Sequence, residues 1–203
     1  MMVTLYHAPN TRSLRVLWTL EEMGATADVK SLPFPPRVKQ PDFLSVNPTG
    51  TLPALVDGDR VISESLAMCE HLANRQGSSL IVAAGEPERT PFLQWLWYGE
   101  STLMAPLSVT ARVSRLPTKG EGIDAVLADA RESLTARLRA LEQRLEGRDF
   151  LVAGRLTLAD VSVGYPLHLM AVFGLDALIT PRAKAYRERL RSRPAFVRAA
   201  AVK

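Results

Sequence analysis

Ser63-Glu64-Ser65 stands at the head of a helical pattern carried by Leu66, Met68, Cys69 and Leu72. A serine and a carboxylate at a helix start offer hydroxyl and N–H donors to an anion, and an acceptor to a cation. Just upstream, Ala54-Leu55-Val56 and Val61-Ile62 flank Asp57-Gly58-Asp59, which predicts a β-hairpin. Its turn reads as something other than the bare two-residue kind, and its type stays open. Pro53 cannot donate to a ladder, so it belongs at the mouth of the first strand. If the Leu52-Pro53 bond is cis, the bend turns the N–H and C=O of Leu52 to solvent. An extended peptide can pair with those two groups as an added strand would. Donors, an acceptor and a strand edge in one stretch describe a pocket for a zwitterionic peptide.

The elements that must position this stretch follow in chain order. Val3-Thr4-Leu5-Tyr6 is a short strand signal, and Ala8-Pro9-Asn10-Thr11 a loop. Ser13 opens a helix with apolar residues at Leu14, Val16, Leu17, Leu20 and Met23, closed by Gly24. A second strand is expected over Ala27 to Leu32, parallel to the first through a right-handed crossover. Pro33-Phe34-Pro35-Pro36 forbids regular structure, and Asp42-Phe43-Leu44 fits a helical turn. The hairpin and the Ser65–Asn74 helix complete the order β-α-β, loose segment, β-β-α. That order is thioredoxin-like.

A linker over 77–87 separates residues 1–76 from a second half, 88–203, that is expected to be helical throughout. Glu88 to about Leu116 is rich in Trp95, Trp97, Tyr98, Met104 and Leu107, with Pro106 predicting a kink. A loop at Pro117–Gly122 precedes an amphipathic helix with Val126, Leu127, Leu134, Leu138, Leu141 and Leu145 on its apolar side. Residues 148–155 read as a turn. Thr157-Leu158-Ala159-Asp160 then approximates a capping box for a buried helix carrying Val161, Val163, Leu167 and Met170. The last helices cover Pro181–Arg191 and Pro194–Val202. The fold class is therefore an α/β thioredoxin-like domain followed by an all-α domain.

N-P-x-G-x-x-P-x-L, then D-G, then I-x-E-S-x-A resembles the glutathione-binding half of the cytosolic glutathione transferases, of the bacterial serine/theta-like type. F-L-V-A-G-R-L-T-L-A-D at 150–160 and R-x-R-P-A-F at 191–196 extend the resemblance through the second half. F-L-Q-W-L-W-Y-G-E-S-T-L-M-A-P-L at 92–107 is similar to bacterial members. The resemblance implies a glutathione transferase fold and a homodimer whose contacts use apolar residues of the Ser65–Asn74 and Trp95–Leu107 helices. It also implies glutathione as co-substrate, with no other cofactor, and a small hydrophobic electrophile as second substrate. Detoxification is the role such chemistry serves. Glutathione-dependent isomerisation and a non-catalytic, partner-binding role are the alternatives.

The family activates the glutathione thiol with a hydroxyl or cysteine in the loop before the first helix. By that resemblance Thr11 ranks first, Ser13 second, Asn10 third and Tyr6 fourth. Arg12 falls where cysteine-type members carry their cysteine, which argues against that class. Ser13 has an equally good reading as a plain helix N-cap. Leu52 and Pro53 would hold the cysteinyl backbone, and Glu64 and Ser65 the γ-glutamyl amine and carboxylate. Lys39 or Gln40 would reach the glycyl carboxylate. The second-substrate pocket would lie against Trp97, Tyr98, Met104 and Arg112.

Composition narrows the alternatives. The 203 residues are 47% hydrophobic and 23% charged, as in an ordinary globular chain. No apolar run reaches the roughly 18 residues that span a bilayer, so no membrane is expected. The start lacks the pattern of an export signal. The single cysteine, Cys69, has no partner for a disulfide or for metal ligation, and a cytoplasmic location fits. The net charge of +4 reflects basic residues spread along the C-terminal helices, which reads as a solvated face and not as a nucleic-acid site.

Overall fold

A computed structural model describes residues 2–118 and 120–203. Two compact units emerge from it. One comprises the chain up to Ile81 together with Ser192–Lys203, and the other Val82–Arg191. The last helix, which the sequence reading put with the helical half, thus clusters with the first unit. Lys119, inside the expected 117–122 loop, lies outside the described residues.

In the first unit, β1 (Val3–His7) is an inner strand of a four-stranded sheet of order β2-β1-β3-β4. It pairs parallel with β2 (Ala27–Ser31) and antiparallel with β3 (Ala54–Asp57), which pairs antiparallel with β4 (Arg60–Ile62). Val3, Leu5 and His7 face inward and are buried, as strand periodicity requires. Register sets Asp57 against Arg60, so the hairpin loop is the bare two-residue Gly58-Asp59 after all. Gly58 has φ +60 at the first central position, where a type II′ turn calls for glycine.

Helix α1 (Ser13–Glu22) connects β1 to β2 and buries Leu14, Val16, Leu17, Trp18 and Leu20. It ends in a Schellman motif: Ala25 N–H reaches Leu20 O at 2.9 Å, and Gly24, at φ +63, bonds Glu21 O at 3.2 Å. Pro36, expected to forbid regular structure, is instead the first residue of the short helix α2 (Pro36–Lys39), a position where its missing N–H costs nothing. A 3₁₀ turn covers Pro41–Ser45. Helix α3 (Ser65–Arg75) packs on α1.

Helices dominate the second unit. Helix α4 (Arg89–Trp97) runs into a π-helical stretch, Tyr98–Leu103, before α5 (Met104–Val113). Pro106 lacks an N–H, and in regular helix its ring would press on the carbonyl four residues back, at Thr102. The widened turn holding Thr102 is the local break the proline predicted. Helix α6 (Glu121–Arg144) buries Ala130, Leu134, Leu138 and Leu141, but Val126, expected on its apolar side, is exposed.

Helix α7 (Leu158–Val172) is buried along nearly its whole length, as an element that is apolar all round must be. The capping box forms as expected, with Thr157 and Asp160 bonding reciprocally. Helix α8 (Pro181–Arg191) follows in the same unit. In the first unit, α9 (Pro194–Ala201) lies on α1, where Phe196 meets Trp18 edge-on at 5.0 Å. Arg193 grips Glu22 at 2.6 and 2.8 Å, and Arg198 bonds Glu21 at 2.7 Å.

Candidate functional site

The loop from β1 to α1 brings three side chains into one chain of hydrogen bonds. Thr11 Oγ1 donates to Ala8 O at 2.8 Å and lies 2.7 Å from Ser13 Oγ. Ser13 Oγ is 2.7 Å from His7 Nδ1, and His7 Nε2 is 3.3 Å from the Val202 carbonyl. Thr11 keeps 8% of its surface exposed, whereas Ser13 is fully buried. Thr11 therefore presents the outer end of this chain and His7 the inner end.

The expected plain cap at Ser13 is corrected: Arg12 occupies the N-cap, and Ser13 is the first helical residue. Its hydroxyl serves Thr11 and His7, not the helix end. Asn10 is exposed, with φ +58, a left-handed conformation that asparagine tolerates. Tyr6 is half-buried and meets Phe43 at a tilt, ring centroids 5.2 Å apart, in a small apolar cluster with Ala8, Leu52 and Ala54. Burial holds the His7 ring below its usual pKa, and the bond to the Val202 carbonyl works against that.

Leu52 is buried in the same cluster, and the Leu52-Pro53 and Phe34-Pro35 bonds are cis. Asn47 shapes the approach to them. Its Nδ2 donates to Thr51 O at 2.8 Å, while its Oδ1 accepts from the N–H and hydroxyl of Thr49 at 3.2 and 2.9 Å. Gly50, at φ +61, passes so close to α2 that a Cβ would sit 2.7 Å from Arg37 Cβ. Both features were missed in the sequence reading; N-P-x-G was the only signal.

Glu64 is the extended N-cap of α3 and is exposed, and Ser65 is its first helical residue and buried. Arg15, wholly buried on α1, donates through a terminal guanidinium nitrogen to Ser65 Oγ at 3.3 Å. That bond turns the Ser65 proton toward other acceptors, beside helix N–H groups that favour an anion. Arg15 is a functional candidate that sequence reasoning passed over; an arginine amid the apolar residues of α1 was the available clue. Lys39 and Gln40 are exposed at the end of α2.

The residues proposed for a second-substrate pocket are scattered in character. Trp97 is 54% exposed at the end of α4, and Arg112 is exposed on α5. Met104 is buried in the helical core, and the Tyr98 hydroxyl donates to Arg137 O at 2.7 Å. Of the apolar residues expected at a dimer contact, Leu66, Met68, Leu72, Trp95 and Leu107 are buried within the chain itself. Cys69 is buried and its thiol is pushed up to about 11 by that burial. Among the described residues no group of three or more His, Cys, Asp or Glu could hold a metal, and no helix is long and apolar enough to cross a membrane.

A thioredoxin-like sheet whose first loop carries buried hydroxyls, followed by a helical unit, defines the class of protein. Residues 11–75 match the N-terminal domain of glutathione S-transferases, and residues 102–194 match the C-terminal domain. Glutathione S-transferase 3 of Zea mays is 31% identical, over 93% of this chain and 87% of its own length. A glutathione transferase of Methylococcus capsulatus superposes with a TM-score of 0.86 at 28% identity, covering 98% of this chain and 97% of that one. A sphingomonad glutathione S-transferase complexed with glutathione superposes with a TM-score of 0.82 at 28% identity, covering 97% and 96%. The chain belongs to the glutathione S-transferase family.

Proposed function

We propose that this protein is a glutathione transferase in which Thr11 donates a hydrogen bond to the glutathione thiolate, which then attacks a small hydrophobic electrophile. The observation that carries the reading is the Thr11–Ser13 hydroxyl pair at the start of α1, in the unit that also holds Leu52 and Ser65. A free thiol titrates at about pH 8.5, so only a few per cent is thiolate at neutral pH. Lowering that by two units takes about 2.7 kcal/mol of thiolate-selective stabilisation. One hydrogen bond to a charged acceptor contributes about 1.5–3 kcal/mol, so a hydroxyl bond to the thiolate is of the size required.

In this reading the Leu52 backbone pairs with the cysteinyl residue. Ser65, backed by Arg15, takes the γ-glutamyl carboxylate, and Glu64 takes the amine. Lys39 or Gln40 reaches the glycyl end. No side chain need form a covalent bond, and no cofactor beyond glutathione is required. Placing the electrophile beside the sulfur supplies the remaining acceleration. The same reading puts the protein in the cytoplasm as a two-fold homodimer, and sedimentation showing a concentration-independent monomer would contradict the dimer.

Glutathione binding tests the reading. A ligand of the folded state at about 100 times its dissociation constant stabilises by about 2.7 kcal/mol, which appears as a raised melting temperature. A titration to millimolar glutathione with neither heat nor thermal shift would remove the basis for the proposal.

A further inference from the structure

We propose that His7 receives the proton of the bound thiol through Ser13 and Thr11, so that thiolate forms inside the protein as half of a thiolate–imidazolium pair. The inference rests on the glutathione reading above and assigns a positioning role to a residue that does not touch the substrate.

In the free protein Nε2 of His7 faces the Val202 carbonyl, an acceptor, so Nε2 carries the hydrogen of the neutral ring. Nδ1 is then bare and accepts from Ser13 Oγ at 2.7 Å. Ser13 Oγ also lies 3.3 Å from Ala8 O, but its shorter contact with Nδ1 takes its proton. The Thr11 proton then serves the 2.7 Å contact with Ser13 Oγ, with Ala8 O at 2.8 Å as the alternative acceptor. Both acceptors are inside the loop. The outward lone pairs of Thr11 can accept from a thiol, but in this arrangement Thr11 cannot donate to a thiolate.

For Thr11 to donate outward, its contact with Ser13 needs a new proton, and only Ser13 can supply it. Ser13 must then swing its hydrogen from His7 to Thr11, and the 2.7 Å contact with Nδ1 needs a hydrogen from the ring. Since Nε2 keeps its own hydrogen on Val202, His7 must become the imidazolium. The thiol proton balances the count. The S–H bond breaks, its hydrogen passes to Thr11 Oγ1, the Thr11 hydrogen passes to Ser13 Oγ, and that of Ser13 passes to Nδ1. The products are one thiolate and one imidazolium, with every oxygen still carrying a single hydrogen.

Burial and one carbonyl act on the ring in opposite directions. Burial lowers the pKa of the ring, which keeps it neutral in the free protein and disfavours the imidazolium; the Val202 carbonyl opposes that effect. On neighbouring elements Lys30 sits over the Tyr6 ring, Arg15 bonds Ser65, and Arg193 and Arg198 pair with Glu22 and Glu21. The negative charge that holds the transferred proton is the thiolate at the other end of the chain.

Calorimetry in two buffers of different ionisation heat reads the protons released per glutathione bound, and ultraviolet absorbance reads the thiolate formed. At neutral pH the wild-type protein should form thiolate while releasing almost no proton. His7→Gln keeps a polar group in place but cannot hold the proton, so thiolate at that pH should fall about tenfold or more, equivalent to one pKa unit. Ser13→Ala leaves the ring on Val202 but cuts the chain, and should behave like His7→Gln. If His7→Gln fails to fold, the wild-type ratio and Ser13→Ala decide. One proton released per thiolate in the wild type overturns the inference and leaves glutathione binding intact. Wild-type thiolate levels in both variants, or binding without thiolate, overturn it too. No heat from glutathione with the wild type overturns the glutathione reading and this inference together.

Discussion

Asp160→Ala should cost the helical unit about 4 kcal/mol, because it strands several buried donors at once. The carboxylate is fully buried and accepts from Leu151 N–H at 2.9 Å and the Tyr186 hydroxyl at 2.8 Å through one oxygen. Its other oxygen accepts from Thr157 N–H at 2.8 Å and the Thr157 hydroxyl at 3.1 Å. Two of these donors are backbone groups with no water to turn to. Each stranded donor costs about 1–3 kcal/mol, and the lost cap of α7 about 1 kcal/mol more, though such costs do not simply add. Burial pushes the carboxyl above its usual range, and the Leu151, Tyr186 and Thr157 bonds pull it back.

Tyr186→Phe is the comparison, since it removes one donor and leaves Asp160 bonded to Leu151 and Thr157. It should cost about 1 kcal/mol. Urea unfolding reads both as a lower midpoint at unchanged slope. Equal, small losses in the two variants would show that Asp160 is a simple cap and not the joint between the 148–155 turn, α7 and α8.

Most of what could be read in advance from the residues depends on neighbours in sequence. The T-L-A-D box lies within four residues, and it formed. The apolar runs of β3 and β4 flank their own turn, so the hairpin was visible, although D-G-D suggested a longer loop than Gly58-Asp59. The register that corrected it is a pairing property, fixed by Asp57 meeting Arg60. The break near Pro106 was legible, but its form as a π-helical turn was not. Gly99 in that turn lies so close to α7 that a Cβ would overlap the backbone of Ser162, a contact no local pattern shows.

The candidate site divides along the same line. Thr11, Ser13, Glu64 and Ser65 could be named from their place in short motifs. Their partners could not. His7 reaches Ser13 across a turn and Val202 across nearly the whole chain. Arg15 reaches Ser65 from another helix. Ser13 looked like a cap because caps are local, and only tertiary structure shows its hydroxyl turned to a histidine.

Removing the Thr11 hydroxyl should damage the ionisation of bound glutathione more than its binding. In the proposed pocket Thr11 contacts only the sulfur, so it acts on the thiolate and hardly on the neutral thiol. Thr11→Ala should raise the pKa of the bound thiol by one to two units, about 1.4–2.7 kcal/mol. The dissociation constant at low pH, where the thiol is neutral, should barely move. The loop itself should hold, because Thr11 N–H still bonds Ala8 O at 3.3 Å. Ser65→Ala should do the reverse. It removes a donor from the carboxylate end and leaves Arg15 without its bond to Ser65 Oγ, weakening binding about tenfold or more, yet the thiol that still binds should titrate as in the wild type. Thiolate absorbance of each complex against pH gives the pKa, and calorimetry at low pH gives the affinity. If Thr11→Ala leaves the titration in place while Ser65→Ala still weakens binding, the pocket stands and the thiolate is held by another donor on the same loop.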